Sequence, residues 1–437
     1  MSDSDIPQPP PSQRGRLRID LSPLQSSADF RILFTAGVVS FFGSMFTFVA
    51  IPLQAQQLTG SFLVVGMLGL VEVIPILVFG LWGGALADHL DRRSIVLISE
   101  FGAGICAVLL LLNSLLGEPH VWVLFTVSAL FAVCESLQRP SLEALIPQTV
   151  RSDQLAGAAA LMSLRWSLGF IVGTAIAGLV SAYAGVSISY AIDAASFAVS
   201  FVLMLGLRSR GRVKEEGSAS LAAIGEGLSY AWQRKDLLGT YAIDTLAMVL
   251  AFPWAVFPFV AARYDAPWAL GLLYAASSVG SAAASLTSGW TVRVHRHGRA
   301  IVIAASLYGL AIAGFGLSST IAIAIIFLIL AGASDMVSGL FRQLIWNQSI
   351  PDTLRGRMAG IELLSYSIGP QLGNARVSLM SQWRGLSFAI ATGGFLCAAG
   401  VIGLAAALPS MWNYDDRTSE HVREVRELRT RAPATGD

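Results

Sequence analysis

Long apolar stretches, separated by short polar connections, run through nearly the whole chain. The hydrocarbon core of a membrane is about 30 Å thick, and a helix that crosses it needs roughly 20 apolar residues. Measured against that length, the sequence predicts twelve spans and an all-α integral membrane protein. The spans are expected at about 30–53, 62–86, 94–116, 120–141, 157–182, 187–207, 237–261, 268–290, 300–318, 320–343, 357–381 and 386–408.

Two sequence features occur twice, about half the chain apart. Residues 146–151 read Ile-Pro-Gln-Thr-Val-Arg, and residues 350–355 read Ile-Pro-Asp-Thr-Leu-Arg. Gly84 ends one apolar span before a pair of arginines, and Gly289 ends another in the same way. Membrane transporters are often built from such repeats, with the substrate site between them. We therefore predict two six-helix bundles, 29–207 and 237–408, joined by a cytoplasmic linker, 208–236, and flanked by the tails 1–28 and 409–437.

The composition and the distribution of charge agree with a membrane protein. Apolar residues make up 54 % of the chain and charged residues only 13 %. Alternate connections differ in arginine content, and the side that holds more is expected to be cytoplasmic. One set of connections holds only Arg263 and Arg384, whereas the other holds the basic linker and Arg92, Arg93, Arg151, Arg293, Arg296, Arg299 and Arg355. This asymmetry predicts a multi-pass protein of the cytoplasmic (inner) membrane with both termini in the cytoplasm.

The two tails are polar and differ from the spans. Residues 1–28 are rich in proline and lack both an apolar core and a cleavage site, so we expect a disordered cytoplasmic tail, not a secretion signal. The tail from about 409 is also polar, and its stretch from Glu420 to Arg431 mixes glutamate and arginine. A solvated charged segment is expected there, with a short surface helix as the alternative.

Several classes of function find no support in the chain. It has no phosphate-binding Walker motif and no zinc-protease or serine-hydrolase motif, and its five histidines are scattered. The three cysteines lack metal-ligand spacing and are expected to be small buried residues. We expect neither an enzyme nor a bound cofactor or metal. The expected partners are a small-molecule substrate, protons and membrane lipids, with no nucleic acid, and the protein is expected to act as a monomer.

Ionisable residues inside the spans are the main candidates for function. Charges in hydrocarbon are costly, so they usually face a cavity or a partner. Glu72 lies near the middle of the second span and is the first candidate for proton coupling, with a buried hydrogen-bonded carboxyl as the alternative. The further candidates for proton coupling are Asp244, Asp335 and Glu362. The candidates for lining a substrate cavity are Glu135, Arg165 and Trp166, although packing is a common role for such aromatic residues.

Residues Gly84, Asp88, Arg92 and Arg93 resemble the motif Gly-x-x-x-Asp-x-x-x-Arg-Arg, which follows the second span in the major facilitator superfamily. The resemblance implies that these residues latch the two bundles in the outward-facing state. The fifth span is similar to an exporter motif, Gly-x-x-x-Gly-Pro-x-x-Gly-Gly, at Gly169, Gly173 and Gly178, but has Thr174 and Ala177 where the motif has proline and glycine. Its counterpart in the second half reads Gly-Pro-Gln-Leu-Gly at 369–373. Such small residues allow close helix packing.

Within that superfamily, the chain resembles the branch of the enterobactin (siderophore) exporter and the macrolide efflux proteins. The residues that carry this resemblance are Phe30-Arg31, Leu58-Thr59-Gly60-Ser61, the duplicated Ile-Pro-x-Thr-x-Arg segment and Arg355-Gly356-Arg357-Met358-Ala359-Gly360. The resemblance implies alternating access driven by proton entry, with a siderophore-like molecule as cargo. Multidrug or macrolide efflux is the alternative, and an importer of the same fold also remains open.

Overall fold

The computed structural model describes residues 20–89, 91–208, 229, 232, 234–350, 352–419, 421–423, 425 and 427, with side chains except in 81–89 and 352–365. Twelve long helices dominate this described part of the chain. They are α1 Ala28–Thr59, α2 Phe62–His89, α3 Arg92–Ser114, α4 Val121–Thr149, α5 Leu155–Tyr183, α6 Val186–Leu205, α7 Lys235–Ala251, α8 Leu270–Leu286, α9 His297–Leu317, α10 Ile321–Ser349, α11 Asp352–Arg384 and α12 Leu386–Ala407.

Each helix lies on one of the expected spans. Within the described residues, eleven helical segments are long and apolar enough to cross a membrane. The remaining helix, α11, carries Asp352, Arg355 and Arg357 in its first two turns. The chain is therefore a multi-pass membrane protein, with twelve long helices in its described part.

The two halves of the chain pack their helices in the same way. In the first half, α1 packs against α5 and α6, α3 against α4 and α6, and α2 against α4. The same pairings recur six helices later. There α7 packs against α11 and α12, α9 against α10 and α12, and α8 against α10. The molecule thus consists of two six-helix bundles, as predicted. The exact boundaries of the bundles, linker and tails stay predictions, and residues 1–19 and most of the linker lie outside the described part.

The bundles meet through two pairs of helices, α2 with α11 and α5 with α8. We call the side of the molecule where α1 begins and α12 ends the termini side, and the opposite side the far side. Gly178, near the far end of α5, packs directly on the backbone of Gly271 in the first turn of α8. Gly66 of α2 similarly packs against Ser378 of α11. The absence of a Cβ atom permits these close contacts, and all of them lie on the far side.

On the termini side the bundles separate, and the burial pattern along α5 shows this directly. Phe170, Thr174 and Ala177 form a buried stripe in the far half of the helix. Trp166 lies one turn before Phe170 on the same face, and Ser163 lies two turns before it. Both are exposed. Residues three or four apart share a helix face. The face that is covered on the far side is therefore open to a cavity on the termini side.

Helix α4 repeats this pattern with charged residues. Leu124 and Ser128 are buried in its far half, whereas Glu135, Arg139 and Glu143, on the same face, are exposed in its termini half. The cavity between the bundles is thus closed on the far side and open on the termini side.

Helix α7 stops at Ala251, and the chain resumes as a helix at Phe257–Arg263. Pro253 explains the break, because proline lacks a backbone N–H and clashes with the preceding turn. Side chains from neighbouring helices satisfy the backbone groups that the break frees. The Tyr308 hydroxyl donates to the Ala251 carbonyl (3.2 Å), and the Ala255 N–H donates to Asn374 Oδ1 (2.9 Å).

The segment after α12 begins with a short helix, Pro409–Trp412, which packs on the termini side of the second bundle. Met411 is buried against Gly239 and Gly298, and Tyr414 is buried as well. Asp416 Oδ1 lies 3.0 Å from His295 Nδ1. The stretch from Glu420 to Arg431 is described only at 421–423, 425 and 427, so the solvated charged segment expected there stays a prediction.

Candidate transport site

Glu72 joins the two bundles. Its Oε2 accepts a hydrogen bond from Nε2 of Gln371, which lies on α11 in the other bundle, at 2.9 Å. Gly69, one turn before Glu72 on α2, faces the Gln371 side chain, so a larger residue there would displace the amide. A carboxylate within a span needs such a partner because the surrounding hydrocarbon offers none. Glu72 is thus a half-buried, hydrogen-bonded carboxyl that forms part of the contact between bundles.

Glu135 is the second acidic group near this contact. It lies on the exposed face of α4, and its charge is near enough to interact electrostatically with Glu72. One turn further on, the guanidinium of Arg139 lies 5.4 Å from the ring centre of Tyr366 on α11, and its Nε lies 3.3 Å from Glu143. The termini half of the cavity therefore contains side chains of both signs of charge.

Arg165 does not pair with Glu135 among the described residues. Its guanidinium fits against Gly37 of α1 and lies 6.0 Å from the ring centre of Phe41, and its acidic neighbour is Glu100 of α3. Glu100 in turn accepts a hydrogen bond from Gln138. Arg165 therefore belongs to the packing of the first bundle, whereas Glu135 faces the cavity.

Trp166 faces the cavity and begins a chain of aromatic contacts that crosses between the bundles. It is 54 % exposed, and its ring stacks on Phe170 at 5.6 Å between centroids. Phe170 lies 5.4 Å from Trp254, and Phe48 lies 5.6 Å from Trp254 and 5.3 Å from Tyr274. We call Phe48, Phe170, Trp254 and Tyr274 the aromatic plug. Because its members come from both bundles, the plug helps to close the cavity on the far side.

Asp244 and Asp335 share an arginine in the second bundle. Arg342 Nη1 on α10 lies 2.5 Å from Asp244 Oδ1 on α7, and both side chains are about 10 % exposed (11 % and 9 %). Arg342 Nη2 lies 4.0 Å from Asp335, whose side chain is 38 % exposed. Asp244 thus holds α7 against α10, whereas Asp335 is the more accessible carboxyl.

We expect Asp244→Asn to destabilise the second bundle. A buried arginine that loses its carboxylate retains its desolvation cost, which is typically about 3–5 kcal/mol. Thermal unfolding of the purified variant in detergent should show a midpoint several degrees below wild type. Asp153→Asn, which alters an exposed pair with Arg151, serves as the control and should leave the midpoint unchanged. Equal midpoints for the two variants would contradict the structural role of Asp244.

The motif after α2 is only partly described. Arg92 donates to the Ala144 carbonyl of α4 (3.3 Å), and Arg93 donates to the Leu205 carbonyl at the end of α6 (3.0 Å). A cation is favourable at such a helix end because the last carbonyls lack partners within the helix. Gly84 and Asp88 lie on α2, but their side chains are outside the described part of the chain, as is that of Glu362 on α11.

The glycine motif of α5 contacts two different helices. Gly169 faces the Phe41 ring and Gly173 faces Met45, both on α1, whereas Gly178 faces Gly271 of α8. The first two glycines therefore pack the first bundle, and the third lies in the contact between bundles. The packing of α3 against α4 brings the thiols of Cys106 and Cys134 within hydrogen-bonding reach of each other.

Sequence reasoning missed several members of this site. Gln371 and the plug residues Phe48, Phe170 and Tyr274 are uncharged, so they did not stand out within the apolar spans. The one signal that pointed to Gln371 was the Gly-Pro-Gln-Leu-Gly segment around it.

Comparisons with known proteins agree on family and fold. A family model described as transmembrane secretion effector matches residues 19–432. The enterobactin exporter EntS of Shigella boydii serotype 4 is 27 % identical over 358 residues, which cover 82 % of this chain and 86 % of the exporter. EntS of Citrobacter koseri is 26 % identical over the same shares.

Solved structures with the same fold include two transporters. The nucleoside transporter NupG has a TM-score of 0.68 at 14 % identity, covering 89 % of this chain and 100 % of that one. A bacterial homologue of the iron transporter ferroportin, in an inward-facing state, has a TM-score of 0.68 at 15 % identity and covers 88 % and 98 %. At these identities the similarity establishes the fold alone.

Proposed function

Since this chain belongs to the transmembrane secretion effector family of major facilitator transporters, we propose that it is a proton-coupled secondary exporter. It moves a siderophore-like small molecule out across the cytoplasmic membrane by alternating access. The observation that carries the proposal is the cavity between the bundles, closed on the far side and open on the termini side. The transporter acts as a monomer, and its partners are the cargo, protons and membrane lipids.

Alternating access requires that the far-side contacts exchange with contacts on the termini side. The glycine contact between α5 and α8 and the aromatic plug close the far side. The residues of the motif after α2, Gly84, Asp88, Arg92 and Arg93, take the corresponding role on the termini side in the other state. Arg92 and Arg93 support this role by tying the start of α3 to α4 and α6.

Proton coupling is assigned to Glu72. An amide donor strengthens its hydrogen bond when the acceptor is ionised. The bond from Gln371 joins α2 to α11, so a change in how the bundles pack changes the surroundings of Glu72. Uptake or release of a proton at Glu72 therefore shifts the equilibrium between the two states. Asp335, Asp244 and Glu362 follow as candidates.

The cargo assignment rests on relatives and on the cavity surface. The relatives are named as enterobactin exporters, and we propose the same class of cargo for this chain. Trp166 is exposed at the cavity and continues into the aromatic plug, so an aromatic cargo can stack there. Arg165 supports Trp166 from the bundle side.

Deletion of the gene tests the cargo. Under iron limitation, the deletion strain should retain siderophore inside the cell and deplete it from the medium, and a plasmid copy should restore secretion. Mass spectrometry of cells and medium measures both pools. Unchanged secretion in the deletion strain would reject the siderophore as cargo.

One observation favours multidrug efflux as the second candidate. The accessible carboxyls Glu135 and Asp335 give the termini half of the cavity acidic groups that a lipophilic cation could meet. In that case the deletion strain secretes siderophore normally but becomes more sensitive to lipophilic cationic antibiotics.

We also propose that the termini side is cytoplasmic. The arginine-rich connections lie on that side, whereas Arg263 and Arg384 lie on the far side. Alkaline-phosphatase fusions after Gln57 and after Pro119 should be active because the enzyme folds only outside the cytoplasm, and a fusion after Arg93 should be inactive. Activity of the Arg93 fusion would invert the orientation.

A further inference from the structure

A groove on the outer surface of the second bundle lies apart from the transport cavity. It has a volume of about 470 Å³ and runs between α9 and α12, which take no part in the main contacts between bundles. Its lining is almost entirely apolar and includes Ile303, Ser306, Leu307, Ile402, Ala406 and Trp412. Ile303, Leu307 and Ile402 are each more than half exposed (55 %, 51 % and 59 %), so the groove faces the hydrocarbon of the membrane.

The groove lies on the termini side of the closest contact between α9 and α12. In the far half the two helices touch backbone to backbone, where Gly309 packs on Gly394 and Gly316 packs on Ala391. Nearer the termini side the larger residues Val302 and Ala405 line the groove. At 1.5 Å per residue, the lining residues of α9 lie about 7–15 Å from the start of that helix. The groove is therefore confined to the half of the membrane nearer the termini side.

A cationic side chain lies at the polar end of the groove. The guanidinium of Arg299 lies 5.3 Å from the ring centre of Trp412, which forms the end wall. Arg299 Nε is buried and has no hydrogen-bond partner, and Arg299 makes no ion pair within the described part of the chain. The nearby tail carboxylate of Asp416 is occupied by His295. Two further arginines of the same connection, Arg293 and Arg296, are exposed.

We propose that this groove binds one phospholipid with an anionic headgroup from the termini-side leaflet. An acyl chain fills the apolar groove, and the phosphate lies at Arg299. Apolar grooves between membrane helices with arginine at the interface match both ends of such a lipid. Arg299, which forms no ion pair with the residues that the structure describes, selects an anionic headgroup over a zwitterionic one. Because Trp412 forms a wall of the site, the bound lipid also holds the short helix Pro409–Trp412 against the bundle.

The test uses the full-length protein, delipidated in detergent. Phosphatidylglycerol and phosphatidylcholine with identical acyl chains are titrated while thermal unfolding is measured. Phosphatidylglycerol should raise the midpoint at a concentration about tenfold lower than phosphatidylcholine. Arg299→Gln should abolish that preference. Arg151→Gln, which removes an exposed arginine from the same side of the first bundle, should keep it.

Two leucine substitutions on α12 test the groove itself. Ala406→Leu fills it and should weaken binding of both lipids about tenfold. Gly403→Leu, where an added Cβ atom has no neighbour within 4 Å, should bind as wild type does. Native mass spectrometry should find one retained phosphatidylglycerol per wild-type chain and none in Arg299→Gln. Equal responses of the wild type to the two lipids, or an unchanged preference in Arg299→Gln, would overturn the proposal.

Discussion

Glu72→Gln is expected to abolish proton-driven efflux while the protein remains folded in the membrane. The amide is the same size as the carboxyl and can still bond to Gln371, so the contact between α2 and α11 persists. The amide cannot take up or release a proton. Proton release at this position can therefore no longer favour one of the two states over the other. In inverted membrane vesicles, transport driven by a pH gradient should fall at least tenfold, whereas exchange of labelled for unlabelled cargo without a gradient should continue.

The matched control for this variant is Glu118→Gln, which makes the same chemical change at an exposed position between α3 and α4. It should transport as wild type does. If Glu72→Gln retains the normal dependence on the pH gradient, the proton is carried elsewhere, and Asp335 is the next residue to replace. Loss of exchange together with loss of driven transport would instead assign Glu72 a structural role.

Gly178→Leu is expected to exclude the far-side-closed state. A Cβ atom at this position would overlap the backbone of Gly271, which has no side chain to move aside. Overpacking of this kind typically costs about 1–3 kcal/mol, so the equilibrium should shift about 5- to 150-fold toward the state open on the far side. Transport should fall accordingly, because one half of the cycle becomes unfavourable.

Spin labels on the far side measure this shift. In a cysteine-free background, Glu118→Cys and Ser319→Cys place one label on each bundle, at exposed positions in far-side connections. Pulsed electron resonance should show a longer distance in Gly178→Leu than in the parent, and the parent distance in Gly403→Leu. Loss of transport without a change in that distance would show that the glycine contact does not control closure.

The spans were predictable because each long apolar run needs a helix to satisfy its backbone in hydrocarbon. Their ends were not. Helix α4 was predicted to end near 141 but continues to Thr149, because hydropathy marks only the part of a helix inside the membrane. Helix α8 was predicted to reach 290 but ends at Leu286, where a short 3-10 segment, Ser288–Arg293, takes over.

The site was predictable residue by residue but not as an arrangement. Glu72 stood out because a charge within a span is unusual, yet its partner Gln371 lies in the other half of the chain and becomes a neighbour only through the contact of α2 with α11. Glu135 and Arg165 lie on consecutive spans, but their helix faces point to the cavity and to α1 respectively. Sequence spacing shows which residues share a face of a helix. The packing of the helices then determines whether that face contacts the cavity or another helix.

The glycine contacts on the far side also bear on how such a protein changes its cargo over evolution. Where backbones touch directly at Gly178 and Gly271, closing the bundles immobilises few side-chain rotamers and depends on no particular side-chain pairing. The residues that face the cavity, such as Glu135 and Trp166, lie on other stretches of the helices and take no part in that contact. Mutations that alter the cavity surface can therefore accumulate without disturbing the contact that joins the bundles on the far side.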